Sequence, residues 1–266
     1  MSYICSPARS FIQLTRAGAG GGFPSGSRGA HPQSEGEDVT VGELVRARRE
    51  RHGDQPLLTY YDAATGERTE LGYATFENWT AKTANAIADH DVEPGEEVVV
   101  AVDGHWAGLV AVLACGLVGC RAMTLTGPPP SDHRAALSIT HERYAAAVAG
   151  GPRLLVGEGL GGRLTEGGDD GFVDEVLACD DVYDDPAVDA DDDWLVLDRG
   201  VWSQGEAIRE APVPPARRVL LSEGLESATL AAVGVIVAGA SMVTVRGGDE
   251  RGRARVAEQE RCEATL

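Results

Sequence analysis

GEEVVVAVDGHWAGLVAVLACGLVGCRAMTL (Gly95 to Leu125) and PARRVLLSEGLESATLAAVGVIVAGASMVTV (Pro215 to Val245) are copies of one pattern. Laid together without a gap, they place Gly104 on Gly224 and Gly119 on Gly239, an offset of 120 positions in both cases (224 less 104, 239 less 119). Each copy reads as a strand, a turn, an apolar helix, a glycine stop and a second strand. Parallel neighbours in a sheet need a long crossover, usually a helix, so this unit is the one that builds parallel sheets. The pair predicts an α/β chain of two related units. The near-continuous apolar runs Val98–Val102 and Val219–Ser222 are expected to be equivalent strands buried on both faces.

Outward from the first copy, Thr40 is placed to cap a helix over Val41–Arg51. Pro56–Asp62 (PLLTYYD) reads as a strand, Ala63–Gly66 as a turn and Glu67–Gly72 as the returning strand. Phe76, Trp79, Thr83, Ala84, Ile87 and Ala88 recur at helical spacing, which predicts a helix over Ala74–His90 ended by Pro94-Gly95. After the first copy, Gly127-Pro-Pro-Pro130 forms a rigid loop and Ser131 caps an expected helix from Asp132 to Val148, followed by a strand at Arg153–Val156. Glycine and aspartate dominate from Gly157 to Asp193, with one strand expected at Val173–Ala178. A strand at Trp194–Asp198, a short polar helix, the second copy and a helix from Gly252 to Cys262 complete the chain. The expected division is a disordered tail over 1–38, a first unit over 39–156, an acidic linker region over 157–193 and a second unit over 194–266.

Charge narrows the partners. The 266 residues carry 42 acidic and 23 basic side chains, a net −19, with Lys82 the single lysine. That excess repels phosphate backbones and anionic headgroups, which argues against nucleic acid and membrane as main partners. It fits a high-salt cytoplasm, where counterions screen an acidic surface. The basic residues of Met1–Gln33, Arg9, Arg16 and Arg28, have no acidic companion, and this stretch lacks the apolar core of a secretory signal. Cys5, Cys115, Cys120, Cys179 and Cys262 are odd in number and form no C-x-x-C pair, so a reduced cytosolic compartment is expected. Ser227–Val245 is uncharged over a membrane-spanning length, but its glycines, and Arg121 at the equivalent of Ser241, favour a buried helix and strand.

Motifs add little chemistry. Gly157-x-Gly159-x-x-Gly162 spells a dinucleotide fingerprint after a strand, yet Gly167, Gly168 and Gly171 crowd out the helix that would hold the pyrophosphate. The aspartates from Asp180 to Asp193 fail the calcium-loop pattern, because Trp194 and Gly200 stand where glycine and glutamate are required. His133 and His141 are too far apart for a shared ion. His105, beside Trp106 at the carboxyl side of the first repeat strand, sits where α/β sheets bind ligands. Asn78-Trp79-Thr80 spells a glycosylation sequon inside a helix. No catalytic, cofactor-binding or metal-ligating residue can be named, and no cofactor is implied.

With these residues in place, the chain resembles the large N-terminal domain of the adenylate-forming superfamily, which includes acyl-CoA synthetases, peptide-synthetase adenylation domains and luciferases. LLTYYDAATGERTELGYATFENWTAKTANAIADHDVEPGEEVVVAVDGHWAGLVAVLACGLVGCRAMTL looks like the start of such domains, where a "T-Y-x-E-L" helix precedes "G-D-x-V-A" and a helix ending in "K-A-G-A". HERYAAAVAGGPRLLVGEGL is similar to the segment that follows, and ARRVLLSEGLESATLAAVGVIVAGASMVTVR to a later unit ending in "x-G-A-x-V-V". The resemblance implies an α/β fold like a truncated N-terminal domain of an AMP-dependent synthetase or ligase, with a nucleotide or acyl small molecule and a protein as candidate partners. It also exposes departures. Between these units the superfamily carries a loop rich in Ser, Thr and Gly ending in Pro-Lys-Gly, which holds the ATP phosphates; this chain has DWLVLDRGVWSQGEAI. The superfamily's catalytic lysine lies in a C-terminal domain, Lys82 sits in a scaffold helix, and the ribose-binding and hinge aspartates would lie beyond Leu266. The expected protein is a non-catalytic relative serving as a binding or assembly module, or else part of an adenylate-forming activity completed by another chain.

Overall fold

The structure, a computed structural model, describes residues 39–130, 132–148, 150–168, 170–184, 188–197, 200–221 and 225–266. The expected tail over 1–38 and the cap at Ser131 lie outside the described residues. In chain order the elements are α1 (Val41–His52), β1 (Pro56–Asp62), β2 (Arg68–Gly72), α2 (Tyr73–Asp89), β3 (Glu97–Ala101), α3 (Trp106–Val118), β4 (Arg121–Thr124), β5 (Leu137–His141), a 3₁₀ stretch (Glu142–Val148), β6 (Arg153–Val156), a 3₁₀ turn (Leu160–Gly162) and α4 (Phe172–Ala178). There follow β7 (Asp193–Leu197), β8 (Gly200–Ser203), α5 (Gln204–Glu210), β9 (Arg218–Leu220), α6 (Leu225–Ala238), β10 (Ser241–Arg246), α7 (Glu250–Gln259) and β11 (Ala264–Thr265).

The two sequence copies become β3–α3–β4 and β9–α6–β10, each a parallel pair joined by a crossover helix. The equivalence is close but not gapless. At the glycine stops, Cys120 N–H donates to Cys115 O and Ala240 N–H to Val235 O, an offset of 120 (240 less 120). In the ladders, Arg121 N–H donates to Glu96 O but Ser241 N–H donates to Arg217 O, an offset of 121 for the first strand (217 less 96). The second copy is therefore one residue shorter between strand and helix. Gly119 and Gly239 both take positive φ, 76° and 64°, where a left-handed residue closes the helix. Gly224 lies outside the described residues.

The copies enter different sheets. One sheet has five strands in the order β11-β9-β10-β1-β2, the other six in the order β6-β5-β3-β4-β7-β8; only β2 and β8 run antiparallel to their neighbours. α3 lies on the six-stranded sheet and packs against α2 and α6, which lie on the five-stranded one. That sheet–helix–helix–sheet layering buries α3 on all sides, from Trp106 through Gly116 and at Val118, which is why its sequence shows no polar face. Among the described residues no helix is long and apolar enough to cross a membrane.

Thr40 caps α1 as expected, in a capping box with Glu43. Two expectations fail. The region 132–148 is not a helix: Leu137–His141 is a strand inserted between β3 and β6, and only Glu142–Val148 coils, as 3₁₀. The run Leu-Ser-Ile-Thr-His has two β-branched residues and pairs on both edges, which outweighs the helix-forming alanines after it. Val173–Ala178 is not a strand but part of α4, where Phe172, Val173 and Val176 bury one helical face. The sheets also mix strands from either side of Gly157–Asp193, since β1 pairs with β10 and β4 with β7.

Candidate functional site

Apolar strands that end in charged residues bring polar groups of the two sheets together at their carboxyl ends. Asp62 closes β1 and Arg246 closes β10, side by side in parallel register. After β3 the chain turns through Val102, Asp103 and Gly104. Gly104 takes φ +64°, and a Cβ there would stand 3.4 Å from the Arg246 Cα, so the loop of one repeat lies against the strand end of the other. Asp62, Ala63, Ala64, Asp103, Arg143, Glu158 and Arg246 are among the residues that line a cleft of about 610 Å³ there.

Arg246 clamps this cleft. Its Nη1 lies 3.1 Å from Asp62 Oδ2, and its Nη2 bonds Glu158 Oε2. Glu158 also takes Arg143 at 3.2 Å. Asp62 is 5% exposed and accepts from the Ala64 and Thr65 amides and the Tyr60 hydroxyl. Burial works against its charge, but those amides and Arg246 outweigh it and hold the carboxyl below its ordinary value. At Asp103, by contrast, burial dominates, and the carboxyl is pushed up despite the Gly127 amide and two nearby guanidinium groups.

Two buried imidazoles lie beneath. His105, 3% exposed, caps α3 through Nδ1, which accepts the Ala107 N–H at 3.1 Å. That bond leaves the proton on Nε2, and the helix N-terminus disfavours a cation there. Burial, then the nearby His141 and Arg246, lower its pKa to about 3. Tyr60, Trp106 and His141 surround it, with ring centroids at 4.8, 5.2 and 6.4 Å. His141 is also pushed down, by burial and by Arg246 and Arg143, against a smaller opposing pull from Glu158.

A histidine held neutral below its unfolded value of 6.5 binds fewer protons folded than unfolded, so its contribution is intact above pH 6.5 and is lost as pH falls towards 3. His105→Asn keeps a capping side chain without the titration. Across pH 6.5 to 5 the parent protein should lose about 1 kcal/mol per pH unit more than the variant, read from urea midpoints. Equal slopes would show that His105 is not held neutral.

Of the residues singled out from sequence, only His105 and His141 join this cluster. His133 bonds Glu97 at 2.8 Å instead, and His141 is not on its helix because there is none. Lys82 donates to the Cys179 carbonyl from α2, as a scaffold residue would. Gly157, Gly159 and Gly162 fold their loop onto itself, with Gly157 N–H on Gly162 O and Gly159 N–H on Arg163 O, and only a 3₁₀ turn follows. Among the described residues no group of three or more metal-ligating side chains gathers, in the aspartate-rich segment or elsewhere. Asp62, Glu158, Arg143 and Arg246 were not foreseen. A lone charge ending an apolar strand, as in LLTYYD and MVTVR, is the signal that would have marked two of them.

No family model matches the sequence. A Mycobacterium tuberculosis protein described as a TIGR03089 family protein is 36% identical over 74 residues, which are 27% of this chain and 30% of that one, so the two are of similar length. Solved structures extend the likeness across the fold. The luciferase-like enzyme of the nonluminescent mealworm Zophobas morio superposes with TM-score 0.73 at 12% identity over 89% of this chain and 61% of its own. The N-terminal domain of FACL13 from Mycobacterium tuberculosis gives 0.66 at 14% identity over 85% and 62%, and a fatty acyl CoA synthetase from the same organism 0.66 at 14% over 85% and 48%. The chain spans between about half and under two thirds of these proteins. Its fold is that of the N-terminal domains of acyl-CoA synthetases and luciferase-like enzymes.

Proposed function

We propose that this chain is a non-catalytic relative of AMP-dependent acyl-CoA synthetases and ligases, a cytoplasmic binding or assembly module with an acidic surface suited to high salt. The observation that carries this reading is the β7–β8 connection. β7 and β8 pair antiparallel with Leu197 opposite Gly200, so two residues, 198 and 199, join them. The superfamily's phosphate loop falls in this interval. With Leu197 paired to Gly200, the interval between the strands has no chain left to cradle a triphosphate, and preorganised donors of that kind are usually the largest catalytic term. Lys82, engaged on a backbone carbonyl, offers no substitute.

The retained scaffold supports binding of a nucleotide or acyl small molecule. A screen against ATP, AMP, CoA and acyl-CoAs at high salt tests this: a ligand at 100 times its dissociation constant adds about 2.7 kcal/mol. The reading expects a raised unfolding midpoint with at least one of them and fails as a small-molecule module if all leave it unmoved. The second reading, an adenylate-forming activity completed by another chain, requires co-purification with a polypeptide bearing the missing loop.

A further inference from the structure

We infer that Glu158 is a resident, displaceable anion: its carboxylate fills a site formed by Arg143, Arg246 and His141, and a carboxylate or phosphate group of a small ligand takes that place by exchange. The inference rests on the binding-module reading and names the chemistry of its site. Groups from both sheets converge on this single carboxylate, Arg246 from β10, His141 from the end of β5 and Arg143 from the 3₁₀ stretch that follows it. Two guanidinium groups, one on each oxygen of the same carboxylate, are charge-assisted donors suited to carboxylate or phosphate.

The site is built but not saturated. His141 is 0% exposed, and its Nδ1 has no hydrogen-bond partner although it stands 3.8 Å from Glu158 Oε1. Its Nε2 donates to the Asp103 carbonyl over a long 3.4 Å, and exchanging that weak bond for a proton on Nδ1 would let the ring donate to an anion that seats more deeply. Glu158 itself is 31% exposed at the mouth of the cleft. Its backbone is pinned separately, by its N–H on Glu142 Oε1 at 3.0 Å, so the side chain can leave without unfolding the loop. Of the neighbouring acids, Asp62 holds the other nitrogen of Arg246, and Asp103 gives one oxygen, Oδ2, to the Gly127 amide and has the other, Oδ1, unbonded. Ala63, Ala64, Gly104, Gly247 and Gly248 leave room beside the anion for the body of a ligand.

The test is anion titration of the full chain at fixed ionic strength, with inorganic phosphate in one arm and hexanoate in the other, KCl making up the balance. An intramolecular carboxylate competes at millimolar effective concentration or above, so Glu158→Gln is expected to bind one anion with a half-saturation about tenfold lower than the parent. Adding Arg143→Met to Glu158→Gln should weaken that binding about tenfold. Unfolding midpoints and titration calorimetry both read the effect, and Glu158→Ser is a second variant should Gln perturb folding. The arm that responds identifies the head group. Equal half-saturation in parent and Glu158 variants, or no saturable effect of either anion, overturns the inference. Neither outcome depends on whether the chain exchanges pyrophosphate, so its failure and that of the functional reading are told apart.

Discussion

Arg246→Met is expected to destabilise the protein by about 3 kcal/mol or more, because it leaves the Asp62 carboxylate buried without its counter-charge. The side chains are 14% and 5% exposed, so water does little to screen the loss. The Ala64, Thr65 and Tyr60 donors to Asp62 persist, which sets the expectation at the lower end of what breaking a buried pair costs. Urea denaturation measures it. The control is the double variant Asp62→Asn, Arg246→Met, which should be less destabilised than the sum of its singles, since neither charge is then orphaned. A single-variant loss below 1 kcal/mol would show that the clamp between the sheets contributes little.

Trp194→Ala is expected to cost about 3–5 kcal/mol, the range for emptying a buried large aromatic site. Trp194 is fully buried on β7, and its Nε1 donates to the Val112 carbonyl of α3 at 2.9 Å. The ring fits because residue 116 is glycine: a Cβ there would stand 3.1 Å from Nε1 and 2.4 Å from a Val41 methyl. Three elements, α1, α3 and β7, thus meet on one side chain, and a cavity there cannot close by a local shift. Trp194→Phe should cost about 1–2 kcal/mol, since the shape is largely kept and one hydrogen bond is lost. Similar losses in Ala and Phe variants would mean that the indole bond, not packing, dominates.

The fold was legible where a segment's periodicity matched its burial. β1 and β6 fall at the expected residues, and α2 shows its apolar face at helical spacing. Legibility failed in short segments whose structure is decided by partners distant in sequence. Leu137–His141 is a strand because β3 and β6 flank it, and β11 is two residues held by β9, with nothing local to announce it. The assignment of strands to sheets was also hidden, since the parallel partner of β1 lies 184 residues on (246 less 62). Of the candidate site, His105 was visible from its place after an apolar strand. Arg246 and Glu158 were not, because their meaning lies in a contact spanning 88 residues that no spacing encodes.

The most direct measurement of the central claim is carboxylate-dependent exchange of labelled pyrophosphate into ATP, with magnesium, high salt and a panel of short, medium and aromatic acids. Loss of even one preorganised donor typically costs 10²-fold to 10³-fold in rate, and the proposed reading has the whole phosphate loop missing between β7 and β8. No exchange above the no-acid background is therefore expected from the purified chain. Exchange that depends on the acid, persists through repurification and disappears in Lys82→Ala would contradict the non-catalytic reading, and with it the assignment of Lys82 to the scaffold.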